Sequence, residues 1–571
     1  MRSFLLSRFP SRPVLSSGGW KRYRAGLPSL FLPILILLSG PGCDAPETVA
    51  GEDAEGPTLL VYIVVDQLRA DLMDRYADLF EGGLARFQTE GRRWVNATFD
   101  HAQTSTAPGH ATAATGVHPH RHGLVGNNWE ERTPDGGWET VYVLRDLESP
   151  IVGFPELEGR GPANLLRDGL PDWILAADPE ARVVSLSGKD RAAIAMAGRA
   201  RGEVYWFDST LGRFVTSTYY RQEMPDWVEA FHRGEDGLPR NWSDTVWSSV
   251  VPESARHLSR PDTFAFEGDG VNTYFPHHFS REGGVGPDAS PGERATALNE
   301  WRARTPFVDA VTLDLARRAV TVHELGRRGS PDYLALALSQ ADRIGHDYGP
   351  LSREQMDNLL RLDREMGAFF DYLDQEVGEG RWMAALTADH GVMEIPEARA
   401  ELGLYGRRIN RGERRELVAL AQAAAEAAGS DPVARARAAA DAALELEWVE
   451  DAFPWSDVLD QVPSDSLRLF FTRSYHPDRV LDHLGHLGVA YRMPEGVYDG
   501  RYPHGTGHGT PYYFDRHVPM MVMGPGVAPG VVTERASVVD LAPTLAQLLG
   551  VPAPGDLDGE ARDVAAPAAR P

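Results

Sequence analysis

The chain of 571 residues is predicted to fold as an α/β protein with a mainly parallel central sheet sandwiched by helices and loop-rich cap insertions. Short apolar runs of β type recur along it, each run ends in a polar residue, and segments without strand character separate them. The first run, LLVYIVV, leads to Asp66. RVVSLSG leads to Lys189, YLALALSQ to Asp342 and WMAALTA to Asp389, while VPMMVMG closes the series near the C-terminus. Runs that do not alternate fit strands covered on both faces, as in parallel sheets. Such sheets bind ligands at the carboxyl ends of their strands, where these four polar residues fall.

The main folded unit is expected over 57–555. Insertions are expected at about 129–181 and 201–299, where Gly, Pro, Trp and charged residues occur without period. A third, at about 400–450, is rich in Ala, Glu and Arg and reads as a helical pair broken between Gly429 and Pro432. SVVDLAPTLAQLLG predicts an Asp-capped amphipathic helix, and 556–571, rich in Ala and Pro, a loose tail. No internal repeat is evident.

The N-terminus stands apart. Arg22 and Arg24 precede the apolar run LPSLFLPILILLSGPGC, which suits an export signal better than a membrane span. Residues 1–43 therefore read as a signal or lipoprotein-type segment, with the single cysteine, Cys43, as a candidate lipid anchor, and 44–56 as an acidic linker. The expected location is periplasmic or lipid-anchored at the cell envelope. One cysteine excludes an intramolecular disulfide and a thiolate metal cluster. The net charge of -25 argues against nucleic acid as the main partner. An anionic small molecule would need locally placed positive charge.

The chemistry-bearing residues are few in type. Asp342 and His346, in ADRIGHD, are spaced to share one side of a helix. Asp389 and His390, in LTADHGV, follow a strand. With Asp66 and a histidine from PHGTGHGTPYYFDRHVP they make three carboxylates and three imidazoles, which would supply two tetrahedral Zn2+ ions with an open position each. In TSTAPGHA, three hydroxyls stand before a proline and a glycine where a helix should begin, so they read either as caps or as containing a nucleophile.

VVDQLRADL, TAPGHATAATGVHPHRHGLVGNN, ADRIGHD, TADHG and HGTPYYFDRHVPMMVMG, in that order, resemble the signature segments of the alkaline phosphatase superfamily. They are most similar to the branch holding nucleotide pyrophosphatase/phosphodiesterases and phosphate-irrepressible alkaline phosphatases. The resemblance implies an alkaline phosphatase-like core with two zinc ions, one held by Asp342, His346 and His508, the other by Asp66, Asp389, His390 and Thr106. It makes Thr106 the nucleophile and leaves His504, His110 and His122 as supporting histidines. It matches Asn127 to an asparagine that contacts a phosphoryl oxygen, and Lys189 and Arg191, in SLSGKDRAAI, to the Lys-x-Arg pair of the monoesterases. Two divalent ions balance three aspartates and a threonine alkoxide, so Lys189 and Arg191 would tip the centre positive, favouring a dianionic monoester over a monoanionic diester. The expected activity is hydrolysis of small phosphate monoesters through a phosphothreonine. A phosphodiesterase on the same core is the nearest alternative, and an inactive phosphate-ligand-binding protein a third.

Overall fold

The computed structural model describes residues 56–234, 245–459, 466–481, 484, 486–500 and 503–565. The expected export segment with Cys43, and the linker up to residue 55, lie outside them. No helix among the described residues is long and apolar enough to cross a membrane.

Among the described residues nine strands build one sheet: β1 (Leu59–Val65), β2 (Arg92–Trp94), β3 (Val183–Ser187), β4 (Glu203–Asp208), β5 (Arg213–Val215), β6 (Asp332–Leu338), β7 (Trp382–Thr387), β8 (Met520–Met523) and β9 (Gly530–Val532), in the order β9-β2-β8-β7-β1-β6-β3-β4-β5. The four central neighbours β7, β1, β6 and β3 are mutually parallel, as is β4 beside β3. β8 runs antiparallel to β7. All five apolar runs are strands of this sheet, and every residue of β1 and β6 is buried, as strands covered on both faces require.

The principal helices are α1 (Thr106–Thr115), α2 (Leu170–Ala177), α3 (Asp190–Ala197), α4 (Phe307–Val322), α5 (Gln340–Tyr348), α6 (Arg353–Leu373), α7 (Arg411–Ala427), α8 (Pro432–Ala443) and α9 (Leu541–Leu548). Tyr62 and Tyr333 share a sheet face by register, and their hydroxyls donate to the carbonyls of Ala113 in α1 and Met196 in α3. These polar tips fix the two helices on that face without leaving a buried hydroxyl unpaired. Helices α7 and α8, broken where expected, build a small core of their own around Leu417, Ala421, Ala439 and Ala443.

Four expectations are corrected. Segment 201–299 is not wholly an insertion: β4 and β5 extend the main sheet, carried by the aromatic run of EVYWFD rather than by an aliphatic one. Within 129–181, α2 buries Leu170, Trp173 and Ile174 in the main core. The segment after Gly555 is docked through residue 564. Asp556 pairs with Arg121 and Arg167, Asp558 with Arg121, and Arg562 with Asp540. Asp540 does precede α9, but its carboxylate accepts from the N–H groups of Ser537 and Glu560 rather than capping that helix.

Candidate metal centre and phosphate site

Parallel strands end on the same edge, and the order of the sheet sets the order of the site. Asp389 and His390 follow β7, Asp66 follows β1, Asp342 and His346 lie on α5 after β6, and Lys189 and Arg191 follow β3. Neighbouring strands lie about 4.8 Å apart, so residues hundreds of positions apart converge.

Asp342, His346 and His508 form one group. His346 Nε2 lies 3.2 Å from Asp342 Oδ1 and 3.2 Å from His508 Nε2, and His508 Nε2 lies 3.5 Å from Asp342 Oδ1. His390 Nε2 lies 3.6 Å from Asp66 Oδ1 and 3.4 Å from Asp389 Oδ2. The two sets touch, because the rings of His390 and His508 stack at 3.6 Å between centroids. Side-chain geometry also permits another division, Asp342 with His390 and His508, and Asp66 with His110 and Asp389, each within 4.8 Å. His110 Nδ1 lies 3.1 Å from Asp389 Oδ2 and 2.9 Å from the carbonyl of Thr106, closer to the ligands than the resemblance implies. His122 instead contacts Thr112 and accepts from the N–H of Leu124, and His504 packs against Gly270.

These donors fit divalent cations. His346, His390 and His508 each direct Nδ1 at a carbonyl, of Thr506, Gly391 and Thr104 respectively. A carbonyl can only accept, so each Nδ1 carries hydrogen and each Nε2 turns inward, the orientation a metal-binding imidazole needs. Asp66 Oδ1, Asp389 Oδ2 and His390 Nε2 are buried without a hydrogen-bond partner. Orphaned acceptors at this depth are costly, and cations between them would satisfy all three. Mixed Asp and His donors suit zinc without excluding other divalent ions.

Electrostatics follow from burial and crowding. Burial, reinforced by Asp342 and Asp389 and opposed by Lys189 and His390, raises the Asp66 pKa to about 6. Burial also pushes Asp342 upward, but Lys189 and His346 outweigh it and hold that carboxyl well below its usual range. Lys189 Nζ lies 2.7 Å from Asp66 Oδ2 and also contacts Asp342 Oδ2, bridging the two ligand sets as their ammonium counter-charge. Arg191 is pressed down by burial, yet Tyr142, Asp190, Asp66 and Asp342 together raise its pKa, so it is a permanent cation. Arg343, on α5, lines the same cavity as Lys189 and Arg191.

Thr106 is the first residue of α1, and its side chain is buried. Ser105 takes the N-cap position but makes no side-chain cap, and Thr104 donates to the carbonyl of Thr510. Of the three hydroxyls, then, neither Thr104 nor Ser105 caps the helix. Asn127 Oδ1 accepts from Ala107 N–H at 3.0 Å and ties the asparagine to this first turn. Gly109 brings α1 against the Asp389 loop: a Cβ there would stand 2.1 Å from the Asp389 carbonyl oxygen.

Sequence reasoning missed several residues that hold the site. Gln67, at φ 69°, donates its N–H to Asp389 Oδ1 and its side-chain amide to Asp342 Oδ1. A non-glycine residue with positive φ is uncommon, and here the turn points both donors at the clustered carboxylates of Asp389 and Asp342. Asp309 accepts from the N–H groups of Ser339 and Gln340, anchoring the start of α5. Asp515 accepts from Thr510 N–H and hydroxyl, bracing the His508 loop. The aspartate in FDRHVP was the available signal for Asp515; Asp309 offered none.

A family model described as type I phosphodiesterase / nucleotide pyrophosphatase matches residues 60–452. The chain is 30% identical over 540 residues to alkaline phosphatase PhoV of Synechococcus elongatus, covering 90% of this chain and 93% of that one. It is 29% identical over 543 residues to alkaline phosphatase PafA of Elizabethkingia meningoseptica, covering 88% and 93%. The crystal structure of wild-type PafA superposes with a TM-score of 0.77 and 26% identity, covering 89% of this chain and 98% of that chain. A solved PafA mutant is substituted at a threonine, an asparagine, a lysine and an arginine, and the intervals between them, 21, 62 and 2 residues, recur between Thr106, Asn127, Lys189 and Arg191. The chain belongs to the type I phosphodiesterase / nucleotide pyrophosphatase family, within the alkaline phosphatase superfamily.

Proposed function

We propose that this protein is a phosphate monoesterase of the alkaline phosphatase type, using two Zn2+ ions and Thr106 as nucleophile. The observation that carries the reading is Lys189, whose ammonium reaches the carboxylates of both ligand sets with Arg191 beside it. A diester, with one charge fewer, has less use for that pair. Asp342, His346 and His508 would hold one ion and Asp66, Asp389 and His390 the other. Bound there, the ions would favour the alkoxide of Thr106 and neutralise charge on the departing oxygen.

The protein's own groups do the rest. The Thr106 oxygen attacks phosphorus in line, the P–O bond to the alcohol breaks, and the alcohol leaves after taking a proton from solvent. Water then attacks the phosphothreonine, returns Thr106 and releases inorganic phosphate. Arg191, Lys189 and the Asn127 amide would hold the non-bridging oxygens as charge moves onto them. The N-terminal position of Thr106 on α1 adds a favourable dipole for the incoming dianion. From the basic residues and apolar run before Cys43, we also propose export, with Cys43 as a lipid attachment point.

The test compares kcat/KM of the zinc-loaded protein for an aryl phosphate monoester and the matching diester, with Lys189→Ala and Thr106→Ala alongside. A monoester preference that shrinks in Lys189→Ala, with Thr106→Ala nearly inactive, supports the reading. A diester preference indifferent to Lys189 replaces it with a phosphodiesterase.

A further inference from the structure

A second cavity meets the site from another direction. His508 and its neighbours Gly507 and Gly509 form part of its wall, and much of the remaining lining is aromatic or thioether: Trp455, Phe471, Tyr491, Tyr498, Tyr512 and Met493. Most of these residues belong to the lobe that follows α8. Trp455 and Phe471 lie 6.0 Å apart between ring centroids, and Phe471 is backed edge-on by Phe453 at 5.4 Å. The packing holds the rings in place before any ligand arrives.

The charged groups of this wall and the Tyr512 hydroxyl are engaged. Arg414 pairs with Asp499 at 3.0 Å, Arg492 with Glu450 and Asp451, and the Tyr512 hydroxyl donates to the Met493 carbonyl at 2.5 Å. A second phosphate would have to break those pairs. An uncharged, flat, apolar group would not. The cations Lys189, Arg191 and Arg343 line a different cavity, so the two approaches to the metal centre differ in chemistry.

In-line displacement places the leaving oxygen opposite the nucleophile. In the ligand assignment proposed above, Thr106 goes with Asp66, Asp389 and His390, so the departing alcohol would lie toward the set containing His508, the residue that opens onto the aromatic cavity. We propose that this cavity is the leaving-group site and that it selects phosphate esters whose alcohol carries a planar aromatic group. The inference rests on the monoesterase reading and deepens it. Trp455 and Phe471 are the specificity-determining residues; neither touches the reacting atoms.

Reactivity must be separated from recognition, because aryl phosphates are intrinsically better substrates. The test therefore uses two pairs that share a primary alcohol as leaving group: 2-naphthylmethyl phosphate against ethyl phosphate, and adenosine 5′-monophosphate against ribose 5-phosphate. Stacking a ring in such a site is expected to give the aromatic member about a 10- to 100-fold higher kcat/KM. Trp455→Ala and Phe471→Leu should erase that preference while leaving ethyl phosphate turnover unchanged. Preference in the first pair alone assigns aryl alcohols, and preference in the second assigns nucleosides. Equal kcat/KM within both pairs, or a preference that survives both substitutions, overturns the proposal. Should the variants fail to fold, inhibition of ethyl phosphate hydrolysis by 2-naphthylmethanol and by adenosine, measured on the unaltered protein, decides: no inhibition by either at millimolar concentration overturns it. A protein that turns over no monoester defeats the function itself, and calorimetry of 2-naphthylmethanol binding to the zinc-loaded protein then reads the cavity separately.

Discussion

Replacing Lys189 by alanine should affect two different properties, and their separation tests the electrostatic reading of the site. Without bound metal, the ammonium is a neutralising charge between Asp66 and Asp342, its side chain 4% exposed and theirs 0% and 6%. Removing one partner of a buried ion pair costs about 3 to 5 kcal/mol, because an uncompensated charge remains. Asp66 already has a pKa of about 6, so protonation of that carboxyl would recover part of this at neutral pH. Metal ions supply the same neutralisation, and in the loaded protein the stability loss should fall to about 1 kcal/mol or less, the lysine being free to meet substrate. The chemical loss then appears instead: removing one charge-assisted contact to the transition state costs about 3 to 4 kcal/mol, or 10²- to 10³-fold in kcat/KM. Thermal unfolding of wild type and Lys189→Ala, each with chelator and with zinc, gives the first quantity, and monoester kinetics the second. Equal destabilisation with and without zinc, together with unchanged monoester turnover, would refute the assignment of Lys189 as both counter-ion and phosphate clamp.

Thr106→Ala should lower kcat by at least about three orders of magnitude with zinc content unchanged, and Thr106→Ser should retain measurable burst kinetics; quenched-flow detection of the phosphorylated residue checks both. Gly109→Ala ordinarily favours a helix by about 1 kcal/mol, but the Cβ would stand 2.1 Å from the Asp389 carbonyl. Net destabilisation and about tenfold weaker zinc binding are therefore expected in a metal titration, and a stabilised, tight-binding variant would contradict the close approach. His277 lies between Glu282 and Glu354, 3.2 and 3.1 Å away. Burial lowers its pKa but the two carboxylates raise it further, to about 9. Its folded pKa thus lies above the unfolded value, so its contribution, about 3 kcal/mol, is complete below pH 6.5 and is lost as pH rises through 9. In His277→Gln that fall in unfolding free energy between pH 6.5 and 9.5 should disappear.

The parts of the molecule legible in the sequence were those where one local pattern had one physical meaning. β1 and β6 are uninterrupted apolar runs because both faces are covered, and the residues after them stand on the functional edge. The spacing of Asp342 and His346 matched one helical turn and was realised on α5. Elsewhere the determining partner was distant. β4 looked like loop because aromatic and acidic residues interrupt its run. The segment after Gly555 looked loose because the arginines that hold it are at 121 and 167, hundreds of residues earlier. The crowding of His110 against Asp389, and the stacking of His390 on His508, depend on how α1 and the 507–510 loop dock, which no local pattern encodes. The aromatic cavity draws its walls from residues 102–103 and from segments between 393 and 512, so its composition was invisible until the chain was folded.

The position of β1 constrains when the centre can be completed. It is the first strand among the described residues, yet it lies between β6 and β7, whose pairing residues begin at 332 and 382. Asp66 therefore precedes its strand neighbours by a long stretch of chain, with β6 beginning at 332 and β7 at 382, and His508 arrives still later. Pairings of such long sequence separation close slowly, and exposed strand edges invite association in the interval. Divalent metal supplied while the chain is incomplete would meet only scattered carboxylates and imidazoles; metal supplied afterwards meets a finished cage. Refolding yield should accordingly depend on the order in which denaturant is removed and zinc is added.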